Sequence, residues 1–306
     1  MLVINKSLFV STRKVEALGG ASGISKSEVS RISQGLDEQV KAFLGRPLDH
    51  ARFPYVYLDA TYLHGRLGRN MQVVSRAVVV AIGINALGYR EVLGIAVGDS
   101  EAEGFWRQFL GSLKERGLDG TRLVISDAHL GLTAAIKRMF QGCCWQRCRV
   151  HFLRNLLSHV PKAGQDMVAA AMKAVFVIQA PDQVRAHWQR VTEMLRKQFP
   201  IMEAARDDVL AFLHFPQEHW RKVWSTNPLE RLNKEIKRRT NVVGIFPNDP
   251  AILRLVGSQL LEQQEEWQLE RRRFFSEATM AKIPEPEGPF ELTDAEPAEK
   301  AAATTR

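Results

Sequence analysis

Three carboxylates stand where stability alone would not put them. Asp59 is the single charged residue in Tyr55-Val-Tyr-Leu-Asp-Ala-Thr-Tyr62, a stretch of strand-forming residues. A carboxylate buried in a sheet costs several kcal/mol unless it is paired. Asp127 ends the apolar run Leu123-Val-Ile-Ser-Asp127. A position just past the C-terminal end of a strand is where α/β sheets place ligands. If these two strands are neighbours, both carboxylates meet at one end of a sheet. A hard cation such as Mg2+ is then the natural relief of their repulsion. Asp127 has a second reading, as the N-cap of the helix that follows it.

The third carboxylate lies in Ser225-Thr-Asn-Pro-Leu-Glu230-Arg-Leu-Asn-Lys-Glu-Ile-Lys-Arg-Arg239. Asn227 suits a cap and Pro228 the first helical position. Leu229, Leu232 and Ile236 form a stripe for burial. Glu230 lies beside that stripe, with Lys234 and Lys237 four and seven residues on along its own face. A carboxylate followed by cations suits a metal site that faces a phosphate backbone. Equally, with Asn227 as the cap, Glu230 occupies the capping-box position. Arg231, Lys234, Lys237, Arg238 and Arg239 make this helix a candidate DNA-binding surface.

Other reactive types are fewer. Cys148-Arg-Val-His151 has C-x2-H spacing, with Cys143 and Cys144 upstream. A structural zinc site needs four ligands, and no second pair stands at suitable spacing. The pair is expected instead to support the neighbouring acidic site. Trp188, in Arg185-Ala-His-Trp-Gln-Arg190, is either a core residue or a platform for an unpaired base. The phosphate-binding loop, the dinucleotide glycine fingerprint and the serine nucleophile elbow are all absent from the sequence.

The elements that must position these residues are readable in order. Ser11–Leu18 reads as helix, Gly19–Gly23 as a break, and Ser25 with Glu28 as the capping-box start of a second helix reaching Phe43. That is a helix-turn-helix pattern, in which Lys26 and Arg31 are candidate DNA contacts. Strands are expected at 55–62, 71–84 and 91–97, with Gly65–Gly68 and Asn85–Gly88 as turns. A helix follows behind the capping box Ser100–Glu103. Then come a strand at 122–126, a helix at 131–140 and a strand at 144–150. The pattern β-β-β-α-β-α-β means a mixed sheet with helices packed on it, an α/β fold. From Phe152 to Phe215 only helical periodicity is seen, at 168–178 and 184–199. A last helical region runs from Pro228 to Phe275, broken at Gly244–Pro250, and a Pro-, Glu- and Ala-rich tail reads as disordered.

Composition supports a nucleic-acid partner. The 306 residues are 45% hydrophobic and 25% charged, ordinary for a globular chain. Lys and Arg number 42 against 34 Asp and Glu, a net of +8. Residues 276–306 hold seven acids and three bases, a net of −4, which leaves +12 on the body. Such a body suits a polyanion. Three clustered cysteines are no disulfide framework, and neither a secretion signal nor an apolar run of membrane-spanning length occurs. A cytoplasmic, nucleoid-associated protein with no membrane partner is expected.

Taken together, the three acids, the C-x2-H and the basic final helix resemble the bacterial mutator-type insertion-sequence transposases, which use a DDE triad. Tyr55–Tyr62 is similar to that family's first-aspartate strand and Val124–Leu132 to its second-aspartate segment. Cys148–Asn155 is similar to its C-x2-H signature and Ser225–Arg239 to its glutamate helix. The resemblance implies an RNase H-like core at 51–155 and 222–275, interrupted by an all-helical insertion at 156–221. It implies the remnant of a longer N-terminal DNA-binding region at 1–50, and so an N-terminally truncated chain, with the tail at 276–306. It further implies that Asp59, Asp127 and Glu230 hold two Mg2+ ions, with Mn2+ as a substitute. The activity implied is cleavage of element ends and strand transfer. The partners implied are double-stranded DNA, as terminal inverted repeats and target, and a second copy in a homodimer or larger synapse. The alternative function is a catalytically idle DNA-binding relic, or an inhibitor of a full-length relative.

Overall fold

The computed structural model describes residues 25–68, 70–99, 103–178, 180–195, 200–270 and 272–284. Its centre is a six-stranded mixed sheet of order β3-β2-β1-β4-β5, with the short β6 pairing on β1. β1 (Tyr55–Leu67), β2 (Gln72–Ile84) and β3 (Arg90–Gly98) form an antiparallel meander. β4 (Leu123–Ser126) and β5 (Cys144–Arg147) run parallel to β1. The expected α/β mixed sheet is present in that strand order.

Runs of β-branched and aromatic residues make these strands, and burial on both faces selects their uninterrupted apolar character. On one face Val56, Leu58, Val79, Val124 and Trp145 pack against α2 (Glu103–Glu115) and α3 (Leu130–Met139). Trp106, Phe109, Leu110 and Leu113 of α2 are the buried stripe that the helical spacing indicated. Ser100, the expected cap, lies outside the described residues. On the other face Tyr55, Tyr57, Val80, Leu123 and Ile125 join a larger core supplied by the later helices.

Those helices are α4 (Arg149–Ser158), α5 (Lys162–Val175), α6 (Pro181–Leu195) and the short α7 (Ile201–Ala204), α8 (Arg206–Val209) and α9 (Trp220–Val223). They are tied back to the sheet by specific bonds. The Gln146 amide donates to the Val209 carbonyl and accepts from the Phe212 N–H. Tyr55 Oη meets His219 Nδ1 at 2.7 Å, and Tyr57 Oη donates to the Lys222 carbonyl. α10 (Asn227–Thr240), β6 (Ile245–Phe246), α11 (Asp249–Glu270) and α12 (Glu277–Met280) complete the chain. α1 (Lys26–Gly45) lies against α11, joined by Arg254–Asp37 at 2.5 Å.

Several expectations are corrected. β1 runs through Gly65 instead of turning there, since Gly65 pairs with Val74 of β2 and Phe246 of β6; Gly68 and Met71 take positive φ, and the Met71 N–H donates to the Gly68 carbonyl. The fifth strand stops at Arg147, so Cys148 caps a helix and does not end a strand. β6 was not anticipated, since two residues carry no periodicity. Residues 276–284, expected in a disordered tail, include α12, whose Met280 is buried; Ser276 accepts from the Thr279 N–H as its cap. Ser25 does cap α1, accepting from the Glu28 N–H at 3.2 Å, while the Glu28 carboxylate turns to Arg31. The first helix and glycine break of the expected helix-turn-helix lie outside the described residues.

Trp188 is not a base-stacking platform. Its indole is fully buried against Phe152, because α6 turns it into the shared core. Trp188→Ala is expected to destabilise the protein by about 3–5 kcal/mol, read in chemical denaturation. His219 is buried, and burial lowers its pKa to about 4. The unfolded chain therefore binds an extra proton between about pH 6.5 and pH 4, so stability falls as pH falls through that window. About 1–2 kcal/mol is expected to be lost between pH 7 and pH 5, and His219→Phe should flatten that part of the profile.

Candidate active site

The β1–β4 ladder builds the site. Tyr55 pairs with Leu123, Val56 with Val124 and Tyr57 with Ile125, a constant offset of 68 residues. Continued two residues past the last pair, Tyr57–Ile125, that offset carries Asp59 beside Asp127, just beyond the end of β4, and the Asp127 charge acts on the Asp59 carboxyl. Asp59 alternates onto the face of Tyr55 and Tyr57, which is the face the later helices cover. Asp127 is half exposed, and its Oδ1 accepts from the Ala128 N–H at 2.7 Å. It is not a helix cap: α3 begins at Leu130 behind His129.

α10 crosses this sheet end. Asn233 Nδ2 donates to Asp59 Oδ2 at 2.7 Å, and its Oδ1 is buried without a partner. Glu230 is one turn earlier on the same side of the helix. The helix is capped by Thr226, not Asn227, so Glu230 falls one position beyond the capping-box site. Its carboxylate instead pairs with Lys234 at 3.2 Å and is 56% exposed. The capping reading is therefore set aside.

Cys148 and His151 link α4 to both parts. Thr226 donates its N–H and its hydroxyl to Cys148 Sγ, at 3.4 and 3.5 Å. His151 Nδ1 lies 4.0 Å from Asp127 Oδ2. Burial works to raise the Cys148 thiol, but hydrogen bonding from His151 and Thr226 outweighs it and holds the pKa below its ordinary value. His151 is held up at about 9, chiefly by hydrogen bonding to Cys148, with the charges of Cys148, Asp127 and Asp59 adding and burial opposing. Hydrogen bonding and the neighbouring charges thus favour the imidazolium form of His151. Burial raises the Asp59 carboxyl, the His151 charge and the bonds from Ala60 and Asn233 oppose it, and the Asp127 charge adds to it.

Residues 8–270 match the sequence pattern of the family described as Transposase, Mutator family. The chain belongs to the Mutator family of transposases. It is 43% identical over 274 residues to the transposase for insertion sequence element IS1081 of Mycobacterium tuberculosis, covering 87% of this chain and 65% of that protein. It is 38% identical over 274 residues to the ISRM5 transposase of Rhizobium meliloti, covering 87% and 68%. The transposase of IS256 in Tn4001 of Staphylococcus aureus is 36% identical over 277 residues, covering 87% and 70%. The chain spans about two thirds of the length of these curated relatives.

In this Mutator-family chain, two of the three expected acids are brought side by side and the third lies on the adjoining helix. Among the described residues, no three of His, Cys, Asp and Glu are grouped closely enough to hold a metal ion. The donor set nevertheless fits a hard cation: Asp59 and Asp127 are oxygen donors in register, they repel each other, and an unsatisfied amide oxygen is buried beside them. The three cysteines are free and buried, which does not suggest a thiolate metal site.

The expected DNA-contacting residues differ in freedom. Arg231, Lys234, Lys237 and Arg238 lie exposed along α10, but Lys234 is engaged by Glu230 and Arg238 by Glu235. Arg239 is half buried and bridges Glu235 to Glu262 of α11, so it fastens two helices together. Arg31 is exposed on α1 beside Glu28, and the side chain of Lys26 lies outside the described residues.

Sequence reasoning missed Asn233, Thr226 and Arg147. Asn233 had a signal, a buried-side amide between Leu232 and Ile236 in an otherwise apolar stripe. Thr226 and Arg147 had none, since each matters through a pairing across the fold. Burial lowers the Arg147 pKa while the charges of Asp127 and Asp208 raise it, which marks a second cation near Asp127.

Because burial of Asp59 penalises its ionised form, the folded protein holds a proton more tightly there than the unfolded chain. Stability attributable to this group is therefore lost as pH rises from about 4 through its raised value. Asp59→Asn keeps an acceptor for Asn233 and removes the charge. It is expected to raise the thermal midpoint by about 2–4 °C at pH 7 in calorimetry, with the gain gone near pH 3.5.

Proposed function

We propose that this chain carries the catalytic core of a DNA transposase, cleaving the ends of an insertion sequence and transferring the freed 3′ ends to new DNA. The observation that carries the reading is the register of β1 on β4, which sets Asp59 opposite Asp127 under the Glu230 helix. The sheet order β3-β2-β1-β4-β5 supports an RNase H-like core, and family membership supports DNA transposition as the process.

Asp59, Asp127 and Glu230 would hold two Mg2+ ions, with Mn2+ as a substitute. Such ions supply Lewis-acid stabilisation of the attacking and leaving oxygens in phosphoryl transfer. Asn233 fixes the rotation of the Asp59 carboxylate through its 2.7 Å bond. The His151 charge favours the ionised form of Asp59 against the burial that opposes it, and His151 and Arg147 set positive charge near Asp127. Glu230 is released from Lys234 at small cost, since an exposed ion pair contributes only about 0–1 kcal/mol. Arg231 and Lys237 face outward from the same helix and suit the phosphates of double-stranded DNA, whether element ends or target. Two ends held together imply a homodimer or larger assembly. A cytoplasmic, nucleoid-associated location belongs with that substrate, and among the described residues no helix is long and apolar enough to cross a membrane.

The second reading is a catalytically idle DNA-binding relic. It draws on the Glu230–Lys234 pairing and on the absence, among the described residues, of a ready three-ligand cluster. One assay separates the two. Duplexes from both flanks of the gene are incubated with the protein and Mg2+ or Mn2+, and nicked and joined products are resolved. The transposase reading expects metal-dependent products that fall at least about a thousandfold in Asp59→Asn, Asp127→Asn and Glu230→Gln, the loss of several kcal/mol of charge stabilisation. DNA bound equally by all four proteins, with no products, would instead establish the relic.

A further inference from the structure

A groove of about 880 Å3 lies between α4, α5 and the segment leading into α9. Its floor is apolar: Leu153, Met172, Phe176, Trp220 and Trp224 line it, and Val177 at its edge is 77% exposed. Its rim is cationic. Arg149 lies over the Trp224 ring at 3.8 Å and the Phe176 ring at 4.9 Å. Lys173 and Arg221 are exposed beside it, and among the described residues neither has a carboxylate partner. The one carboxylate in the lining, Glu218, is already taken by Lys282 at 2.6 Å. An apolar floor inside a ring of unpaired cations selects a segment that carries both large apolar side chains and acids.

The chain contains such a segment, and it starts at the groove. Lys282 grips the groove wall two residues before Pro284, the last described residue. Residues 285–306 hold six acids and two bases. Their large apolar side chains are Phe290 and Leu292, set among Glu285, Glu287, Glu291 and Asp294. Phe290 stands six positions beyond Pro284, a reach of up to roughly 20 Å. A tether this short holds the segment at an effective concentration on the order of millimolar, so a weak contact suffices.

We propose that this groove is the docking site of the chain's own C-terminal segment, with Phe290 and Leu292 on the apolar floor and the flanking acids against Arg149, Lys173 and Arg221. The acids on the segment then occupy cations that would otherwise be open to a polyanion. The groove adjoins the site through Arg149, which follows Cys148 directly and whose N–H donates to the Trp224 carbonyl. Docking therefore masks positive surface beside the carboxylates, and DNA that needs this surface must displace the segment.

The test uses the full chain with a photoreactive benzoylphenylalanine at position 290. After irradiation, adducts are mapped by mass spectrometry. Docking predicts intramolecular adducts within residues 172–178 and 217–224, in a yield independent of protein concentration. Lys173→Glu combined with Arg221→Glu, both exposed, should lower that yield at least about fivefold, as expected for reversing two rim charges. Adding Glu287→Lys and Glu291→Lys should restore it. Adducts scattered over other surfaces, adducts that grow with concentration as between copies, or indifference to the charge reversals would overturn the proposal. So would adducts only from a bromouracil-labelled single strand to the Trp220–Trp224 segment, which would make the groove a seat for nucleic acid.

Discussion

The parallel pairing of β1 with β4 is the constraint on which the site depends. A carboxylate in the middle of a strand is held only if that strand cannot shift, because a slip of one residue moves every side chain to the other face. β1 is fixed from both sides, by thirteen antiparallel pairs with β2 and by three parallel pairs with β4. Apolar layers cover both faces, so burial of Tyr55 and Tyr57 on one side and Val56 and Leu58 on the other sets the register. Asp59 is carried along by that register into a partly desolvated position. The energy of the core offsets the local cost, which is the ordinary relation between a stable scaffold and a strained functional group.

The helical segment after β5 is part of this arrangement. Its tryptophans and phenylalanines share one core with the sheet, and its polar atoms bond to sheet side chains at Gln146, Tyr55 and Tyr57. The segment therefore returns the chain to the sheet end at a defined place. Thr226 bonds to Cys148 there, and α10 begins at the next residue. The cysteine is a junction between the start of α4 and the start of α10, with His151 reaching from it toward Asp127.

The basic helix illustrates why charge counts along a sequence overstate what is available for binding. Of the cations on α10, Arg238 and Arg239 hold Glu235 and Glu262, and Glu235 has its pKa drawn down to about 2, chiefly by the bond from Arg238. Those arginines stabilise the helix and its neighbour. Arg231 and Lys237 remain for an outside partner. Trp188 carries the same lesson for aromatics: flanking bases suggested an exposed platform, while its helical register turned it inward.

By itself, the sequence determined the strand and helix order from β1 to β5, the placement of Asp59 on one apolar strand and of Asp127 just past the end of another, and the separate helix that bears Glu230. These are local patterns, written in hydrophobic period, capping residues and isolated charges, and the family resemblance rests on the same short segments. It also marked Cys148 and His151 as a pair by spacing alone. The tertiary structure decided the rest. It decided that β1 and β4 are parallel neighbours with an offset of 68 residues, which no local pattern encodes. It decided that Asn233 and not Glu230 touches Asp59, and that Thr226 bonds to Cys148. Each of these is a contact between residues distant along the chain. Such contacts follow from how two apolar faces are covered, so they appear only when the whole core is assembled.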